Sequence, residues 1–433
     1  MQNFFYRTLT VIFTFMILLV FYKSEIQNLG EIREKYIKYY FIFGFLFFIF
    51  LIGFCFNKKV QLLILIFTFS IIFTVYSIET FILFTSFKNK KIKENLYKEI
   101  SSKEFDNRSL FQYFNEMKKS NDEIKVAVYP DSFNKLKNID IFPLSGISNK
   151  ETILCNENGY YVHYVSDRFG FNNVDSEWDK ETINYLLLGD SLVHGFCIKP
   201  KNNMTSISKK ISKKNVLNLS YGGNGPLIQL ASLKEFKPNK VEKIIWTYSE
   251  WNDLVDINFE INNPILNKYY LDKNFSQNLK ENQKLIDDIG NNVIAKNNNF
   301  QEKKFINFLK NFIFLNNLRF VLSKKTKFYI PEENFKIFEE IMTEFINFSY
   351  TNNSTPYFVY IPSYNTFTDN INKINYLKIK KIIEKLDINF IDIREEILNE
   401  KIDIKQLFPY NLPGHYSEEG YKFITNKIYN YIK

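Results

Sequence analysis

Cysteine and histidine are scarce in this chain, with three of each among 433 residues. Three cysteines are too few for a disulfide framework. Cys55 sits inside an apolar run and reads as a small core or lipid-facing residue. Cys155 and Cys197 lie in the more polar part, where they are either two free thiols or a pair formed in an oxidising compartment. His163, His194 and His415 show no paired spacing with cysteine or acid, so no zinc site is expected. His163 and His194 read as structural, and no metal or organic cofactor is indicated. A basic stripe is also missing. Net charge is +9, but Lys and Arg are interleaved with acids, which argues against a nucleic-acid partner. Residues 1–87 hold seven basic and four acidic residues, so +6 of the excess lies in the remainder, as expected of a solvated surface. No Gly-Lys-Ser/Thr follows the glycine-rich turn Tyr221-Gly222-Gly223-Asn224-Gly225-Pro226, which excludes a phosphate-binding loop.

Long apolar runs, in contrast, are plentiful near the N-terminus. Phe4–Tyr22 (apolar but for Arg7), Tyr39–Phe56 and Val60–Ile78 are each 18 or 19 residues long. That is near the length a helix needs to cross the hydrocarbon layer. The first could pass for a signal peptide, but no small-residue cleavage site follows it and two further runs come after. Residues 1–87 are therefore expected to be a membrane domain of three transmembrane helices in contact with lipid, in a bacterial inner membrane. Glu79 and Glu99 read as surface or interfacial groups. A transporter is a poor reading, because the spans carry no charge beyond their edges. The Lys/Arg count around the spans favours a cytoplasmic C-terminal part. A Cys155–Cys197 bridge would agree with the opposite side, and the reading inclines slightly to that side.

Residues 88–180 are expected to form a helical stalk and an irregular lead-in, with turn signals that include Asn156-Glu157-Asn158-Gly159. From residue 181 to 433 a regular alternation sets in. Short apolar strands at Ile183–Leu188, Val216–Ser220, Lys243–Ser249, Tyr357–Ile361 and Phe390–Ile393 alternate with helical patterns. Strands separated by helices imply a parallel sheet with crossover helices on both faces. The fold class is thus α/β: a flavodoxin-like, doubly wound parallel sheet of about five strands. Residues 254–332 break the rhythm and read as an insertion over the carboxyl ends of the strands.

Cleaving or transferring an acyl ester needs a nucleophile, a base, and donors aimed at the oxyanion. Ser191 follows the first strand in a tight Gly189-Asp190-Ser191 turn. The glycine-rich turn after the second strand offers backbone N–H groups, and Asn252 after the third offers an amide. His415 lies on a loop before the last helix. Four polar features at the carboxyl ends of separate elements would converge on one pocket.

Here the chain resembles the SGNH hydrolase family, also called GDSL-type esterases. Four blocks carry the resemblance: Gly189-Asp190-Ser191, Asn218-Leu219-Ser220-Tyr221-Gly222-Gly223, Glu250-Trp251-Asn252-Asp253 and Leu412-Pro413-Gly414-His415. It implies Ser191 as nucleophile, His415 as base, and Ser191 N–H, Gly223 N–H and the Asn252 side chain as oxyanion donors. The stretch Ser166-Asp167-Arg168-Phe169-Gly170-Phe171-Asn172-Asn173 also resembles the lead-in of membrane-linked members found with bacterial surface-polysaccharide genes. Two positions depart from the pattern. Glu250 stands where the family has Gly, and Leu412 stands where it has the acid that orients the histidine. A Ser–His dyad steered by a backbone carbonyl or by a distant acid such as Asp392 is one way to fill that gap. Losing an orienting acid lowers kcat by about 10⁴ in a serine protease triad. The implied activity is a membrane-anchored serine esterase acting on acyl esters, O-acetyl above all, of a glycan or lipid-linked sugar. The alternatives are an acyltransferase on the same residues, or an inactive fold that binds polysaccharide or an assembly partner. The sequence leaves the oligomeric state open.

Overall fold

A computed structural model describes residues 2–27, 30, 33–136, 139–301, 304–327 and 330–432. Two compact units emerge: residues 1–86 with 314–318, and residues 87–313 with 319–433.

In the first unit the apolar runs form helices Gln2–Phe21 and Arg33–Gly53 and most of the first half of helix Lys58–Ser101. Among the described residues three helices are long and apolar enough to cross a membrane, by length and composition. Tyr6 is fully buried, and its ring lies against Gly53, where a Cβ would come within 2.2 Å of it. A glycine is needed there for the close approach. The Tyr6 hydroxyl donates to the Gln61 carbonyl at 3.2 Å, and Gln61 Nε2 donates to the Gly53 carbonyl at 3.1 Å. Glu79 corrects an expectation, because it is buried rather than interfacial. Its carboxylate accepts from Asn317 Nδ2 at 2.7 Å and from the backbone N–H groups of Asn317 and Leu318 at 3.1 and 2.7 Å. Those N–H groups open helix Asn316–Lys327, so the carboxylate satisfies donors that the helix itself leaves unpaired.

Among its described residues the second unit holds eight strands: β1 (Lys125–Val126), β2 (Glu151–Cys155), β3 (Val162–Val165), β4 (Ile183–Leu188), β5 (Val216–Asn218), β6 (Val241–Ser249), β7 (Thr355–Ile361) and β8 (Asn389–Asp392). The last five form one sheet in the order β5-β4-β6-β7-β8, and every pairing is parallel. That order is the doubly wound, flavodoxin-like one expected. The central strands are apolar on both faces because helices cover both. Leu186, Leu188, Ile244 and Trp246 pack on one side with helices Pro226–Phe236 and Glu332–Thr351. Tyr185, Leu187 and Ile245 pack on the other with helix Glu418–Ile432.

Two expected irregular regions are ordered instead. The lead-in contains a separate three-stranded sheet, order β1-β2-β3, with β1 parallel and β3 antiparallel to β2. The insertion is mainly helical: Asp253–Ile261, Leu266–Leu271, Gln283–Gln301, Lys304–Ile313 and Asn316–Lys327. Between the two sheets, Asp167 is the organiser. Its buried carboxylate accepts from Phe169 N, Phe171 N, Asn173 Nδ2 and Trp178 Nε1 at 2.8 to 3.0 Å. Burial nevertheless outweighs those donors and lifts its pKa to about 6. Asn173 then pairs with the edge strand β5, donating to the Asn218 carbonyl at 2.8 Å and accepting from Asn218 N at 2.9 Å.

Candidate functional site

β4 ends in an apolar run, and the chain must turn at once to start a helix. Gly189 makes that turn, where a Cβ would stand 2.1 Å from Thr247 Oγ1 on the neighbouring β6. The Thr247 hydroxyl is itself fixed, donating to the Leu188 carbonyl at 2.9 Å. Ser191 opens the four-residue helix Ser191–His194. The strand order brings the carboxyl ends of β4, β5 and β6 side by side, and the sequence-predicted donors sit on the loops that follow.

His415 reaches the same place from the far end of the chain. Its loop is anchored by Ser417 N–H on the Leu407 carbonyl at 2.8 Å and by the buried Tyr416 hydroxyl on the Pro362 carbonyl. His415 Nε2 lies 3.1 Å from Ser191 Oγ. The Phe196 ring lies over the imidazole at 4.2 Å between centroids, tilted by 32°.

The acid behind the histidine is Glu157. Its Oε1 is 2.9 Å from His415 Nδ1, and its Oε2 accepts the His415 backbone N–H at 3.0 Å. A proton on Nδ1 then points to Glu157 and leaves Nε2 free to accept from Ser191. Burial alone would raise this carboxyl. The His415 side chain, its charge, its backbone N–H and the Lys93 ammonium outweigh burial and hold the pKa at about 2. Asp392 is not the orienter. It accepts from the Tyr376 hydroxyl at 2.7 Å and caps helix Ile393–Asn399 through Glu395 N–H at 3.2 Å. In sequence, Asn156-Glu157-Asn158-Gly159 signals only a turn, and nothing in it points to a histidine 258 residues away.

The three expected oxyanion donors gather around Asp190. Its carboxylate accepts Gly223 N–H, Asn252 Nδ2 at 2.9 Å and the Ser191 hydroxyl at 3.3 Å. Ser191 N–H also turns to it. Burial raises the Asp190 pKa against the pull of these donors. The second Asn252 amide hydrogen is held by Asp256 at 2.6 Å. A carboxyl group therefore already sits beside Ser191, on the donors that would serve a tetrahedral oxyanion.

The two departures from the family pattern have local explanations. Glu250 ties the ends of β6 and β7 together, accepting from the Tyr360 hydroxyl, Ser363 N, Ser363 Oγ and Thr366 Oγ1 at 2.6 to 2.8 Å. Leu412 stands three residues before His415, while Glu157 occupies the acid's place from another layer. The other two histidines are engaged elsewhere. His194 is fully buried, and desolvation lowers its pKa to about 3, so it is neutral. Its Nδ1 accepts Gly222 N–H at 3.2 Å, which steadies the glycine-rich turn. His163 lies between Glu151 at 2.9 Å and the Tyr113 hydroxyl at 3.0 Å. Among the described residues no group of three or more His, Cys, Asp or Glu is placed to hold a metal ion.

No family model matches the chain, and no curated protein does. Among solved structures, similarity extends to a psychrotrophic esterase from Pseudoalteromonas sp. inhibited by monoethylphosphonate. It is 12% identical at a TM-score of 0.30, covering 58% of this chain and 97% of that one. A putative lipolytic protein of the G-D-S-L family from Desulfitobacterium hafniense is 12% identical at a TM-score of 0.31, over 57% and 98%. An acetyl xylan esterase is 10% identical at 0.32, over 58% and 100%. The reading that follows is argued from the site's own geometry.

Proposed function

We propose that the protein is a membrane-anchored serine esterase of the SGNH type that cleaves small acyl esters, O-acetyl above all, from a glycan or lipid-linked sugar. One observation carries it: the chain of contacts Ser191 Oγ–His415 Nε2 and His415 Nδ1–Glu157. Ser191 attacks the acyl carbon as its proton passes to His415 Nε2. Glu157 holds the imidazole in the tautomer that can take that proton and offsets the charge that results. Collapse of the intermediate expels the sugar oxygen, which takes the proton from His415, and water then repeats the cycle on the acyl-enzyme. Gly223 N–H, Ser191 N–H and Asn252 Nδ2 serve the oxyanion, so the Asp190 carboxylate has to yield those donors when substrate binds. Trp251, 66% exposed and next to Asn252, offers an open ring face, which supports a sugar as the acyl carrier.

Transfer of the acyl group to a sugar hydroxyl would use the same residues and differ only in the acceptor. The inactive, binding-only reading rested on Leu412, and Glu157 removes that support. On sidedness, the Cys155–Cys197 disulfide supports an extracytoplasmic site, since such bonds persist in oxidising compartments.

The test is a fluorophosphonate probe on the detergent-solubilised full chain. Labelling that disappears in Ser191→Ala, together with acetate release from acetylated glycans, is the expected result. A folded parent that takes no label would sink the reading. Appearance of acetylated acceptor instead of free acetate would move it to the transferase.

A further inference from the structure

Ser191 and His415 stand on the five-stranded sheet and its last loop, while Glu157 belongs to a different layer. It lies on the turn between β2 and β3, and neither of those strands pairs with the main sheet. No ladder hydrogen bond therefore sets the distance between the acid and the histidine it faces. A covalent bond crosses that gap instead. Cys155, the last residue of β2, is joined to Cys197, and their Cα atoms are 5.2 Å apart across 42 residues of sequence. Cys155 is two residues before Glu157, and Cys197 lies three residues beyond the helix that Ser191 opens.

Other contacts fix the same two segments to each other. Asn158 Nδ2 donates to the Cys197 carbonyl at 3.0 Å, and Cys197 holds a left-handed φ of 57° that few residues other than glycine adopt. Phe196, the neighbour of Cys197, is the ring that covers His415. The far side of the turn is held by Asp106 N–H on the Gly159 carbonyl at 3.0 Å and by Asn156 Nδ2 on the Asp106 carbonyl at 2.8 Å. Cys197 is 1% exposed, so the bond is part of the packed wall beneath the site.

We propose that the Cys155–Cys197 disulfide is a positioning element of the catalytic centre. It holds the Glu157 carboxylate on His415, and breaking it acts on turnover through that carboxylate. The proposal rests on the esterase reading for its kinetic test, but not for its structural one. Reduction by a dithiol delivers two electrons and two protons to the sulfur pair, leaving two thiols and closing the dithiol to its own cyclic disulfide.

The experiment uses the full chain in detergent with 4-nitrophenyl acetate, and compares the parent, C155A/C197A, E157Q and the combined variant. The expected result is a kcat lower by about 10²-fold in C155A/C197A, the scale of a small misplacement of a catalytic group, with KM little changed. E157Q should then add far less in the disulfide-free background than in the parent, because both changes remove one interaction. Parent-like kcat without the disulfide, or losses that simply multiply, would overturn the proposal. A second measurement does not need turnover: the downfield proton resonance of His415 Nδ1–H should be present in the oxidised protein and lost in C155A/C197A. If that signal vanishes in a chain that hydrolyses nothing, the esterase reading fails and the positioning role stands. A signal that persists in C155A/C197A overturns the positioning role, whether or not the chain hydrolyses the ester. Dithiol reduction of the parent, with recovery of kcat on reoxidation, controls for the substitutions. Global unfolding on reduction would also count against the proposal, since the bond would then serve the whole fold.

Discussion

At the scale of single residues, the proposed site depends on one carboxylate that no motif announces. Glu157→Gln is expected to lower kcat by about 10⁴, because an amide at this place favours the wrong imidazole tautomer, while KM stays near the parent value. Steady-state kinetics beside a fluorophosphonate labelling rate would check both halves. Because the Glu157 pKa sits at about 2, the carboxylate remains ionised across the range where ordinary glutamates protonate. Its contribution to stability is complete above the unfolded value of about 4.3 and is lost as pH falls towards about 2. Ser191, His415, Gly223 and Asn252 were legible because each lies in a short block with its own spacing. Glu157 was not, since its partner is made by the packing of a separate sheet. Its one sequence sign was proximity to Cys155, and a pair of cysteines does not say what it holds in place. Asp392 was a reasonable guess from position alone, but Tyr376 and Glu395 N–H already occupy it.

Among elements, the main strands were read within a few residues, because apolar runs covered on both sides leave a plain signal. The sheet β1-β2-β3 was missed: β1 has only two residues, and no regular strand–helix alternation frames β2 and β3 as it frames the main strands. The helices of the insertion were hidden by asparagine and aromatic residues that blur helical spacing. One element also carries a pH prediction. Helix Pro226–Phe236 begins at the glycine-rich turn, and Glu260 caps it by accepting Leu227 N–H at 2.9 Å and Ile228 N–H at 3.2 Å. Burial, aided by Asp256, raises the Glu260 pKa to about 8 against those donors. Between about 4.3 and about 8 the folded protein binds the extra proton, so this group's effect on stability worsens as pH rises through that window. Glu260→Gln should flatten that slope, in denaturant titrations at about pH 5 and about pH 9. An unchanged slope would mean that the carboxyl is ionised throughout.

For the whole molecule, the three apolar helices were the plainest feature of the sequence, since length and composition alone identify them. What the sequence did not show was how they are joined within their unit. Tyr6 seated on Gly53 and Glu79 bonded to Asn317 and Leu318 are contacts between residues far apart in the chain. If the three helices span a membrane as proposed, the side on which the second unit lies is open to a direct measurement. An alkaline phosphatase fused at the C-terminus should be active if the disulfide-bearing unit is exported, and inactive if the basic residues near the spans govern insertion.

A chain cut down to its sheet would keep Ser191, His415 and the loops of Gly223 and Asn252, yet it would be no smaller version of the proposed catalyst. The acid arrives from Glu157, before the first strand of that sheet, and the amide that closes its β5 edge comes from Asn173. A fragment beginning at residue 181 would leave an imidazole without its counter-charge and a strand open to any passing backbone. On the proposed reading, the lead-in is therefore inherited with the sheet or the activity is not inherited at all. Gene fusions, domain swaps and searches for remote kin that begin at the nucleophile block start one module too late.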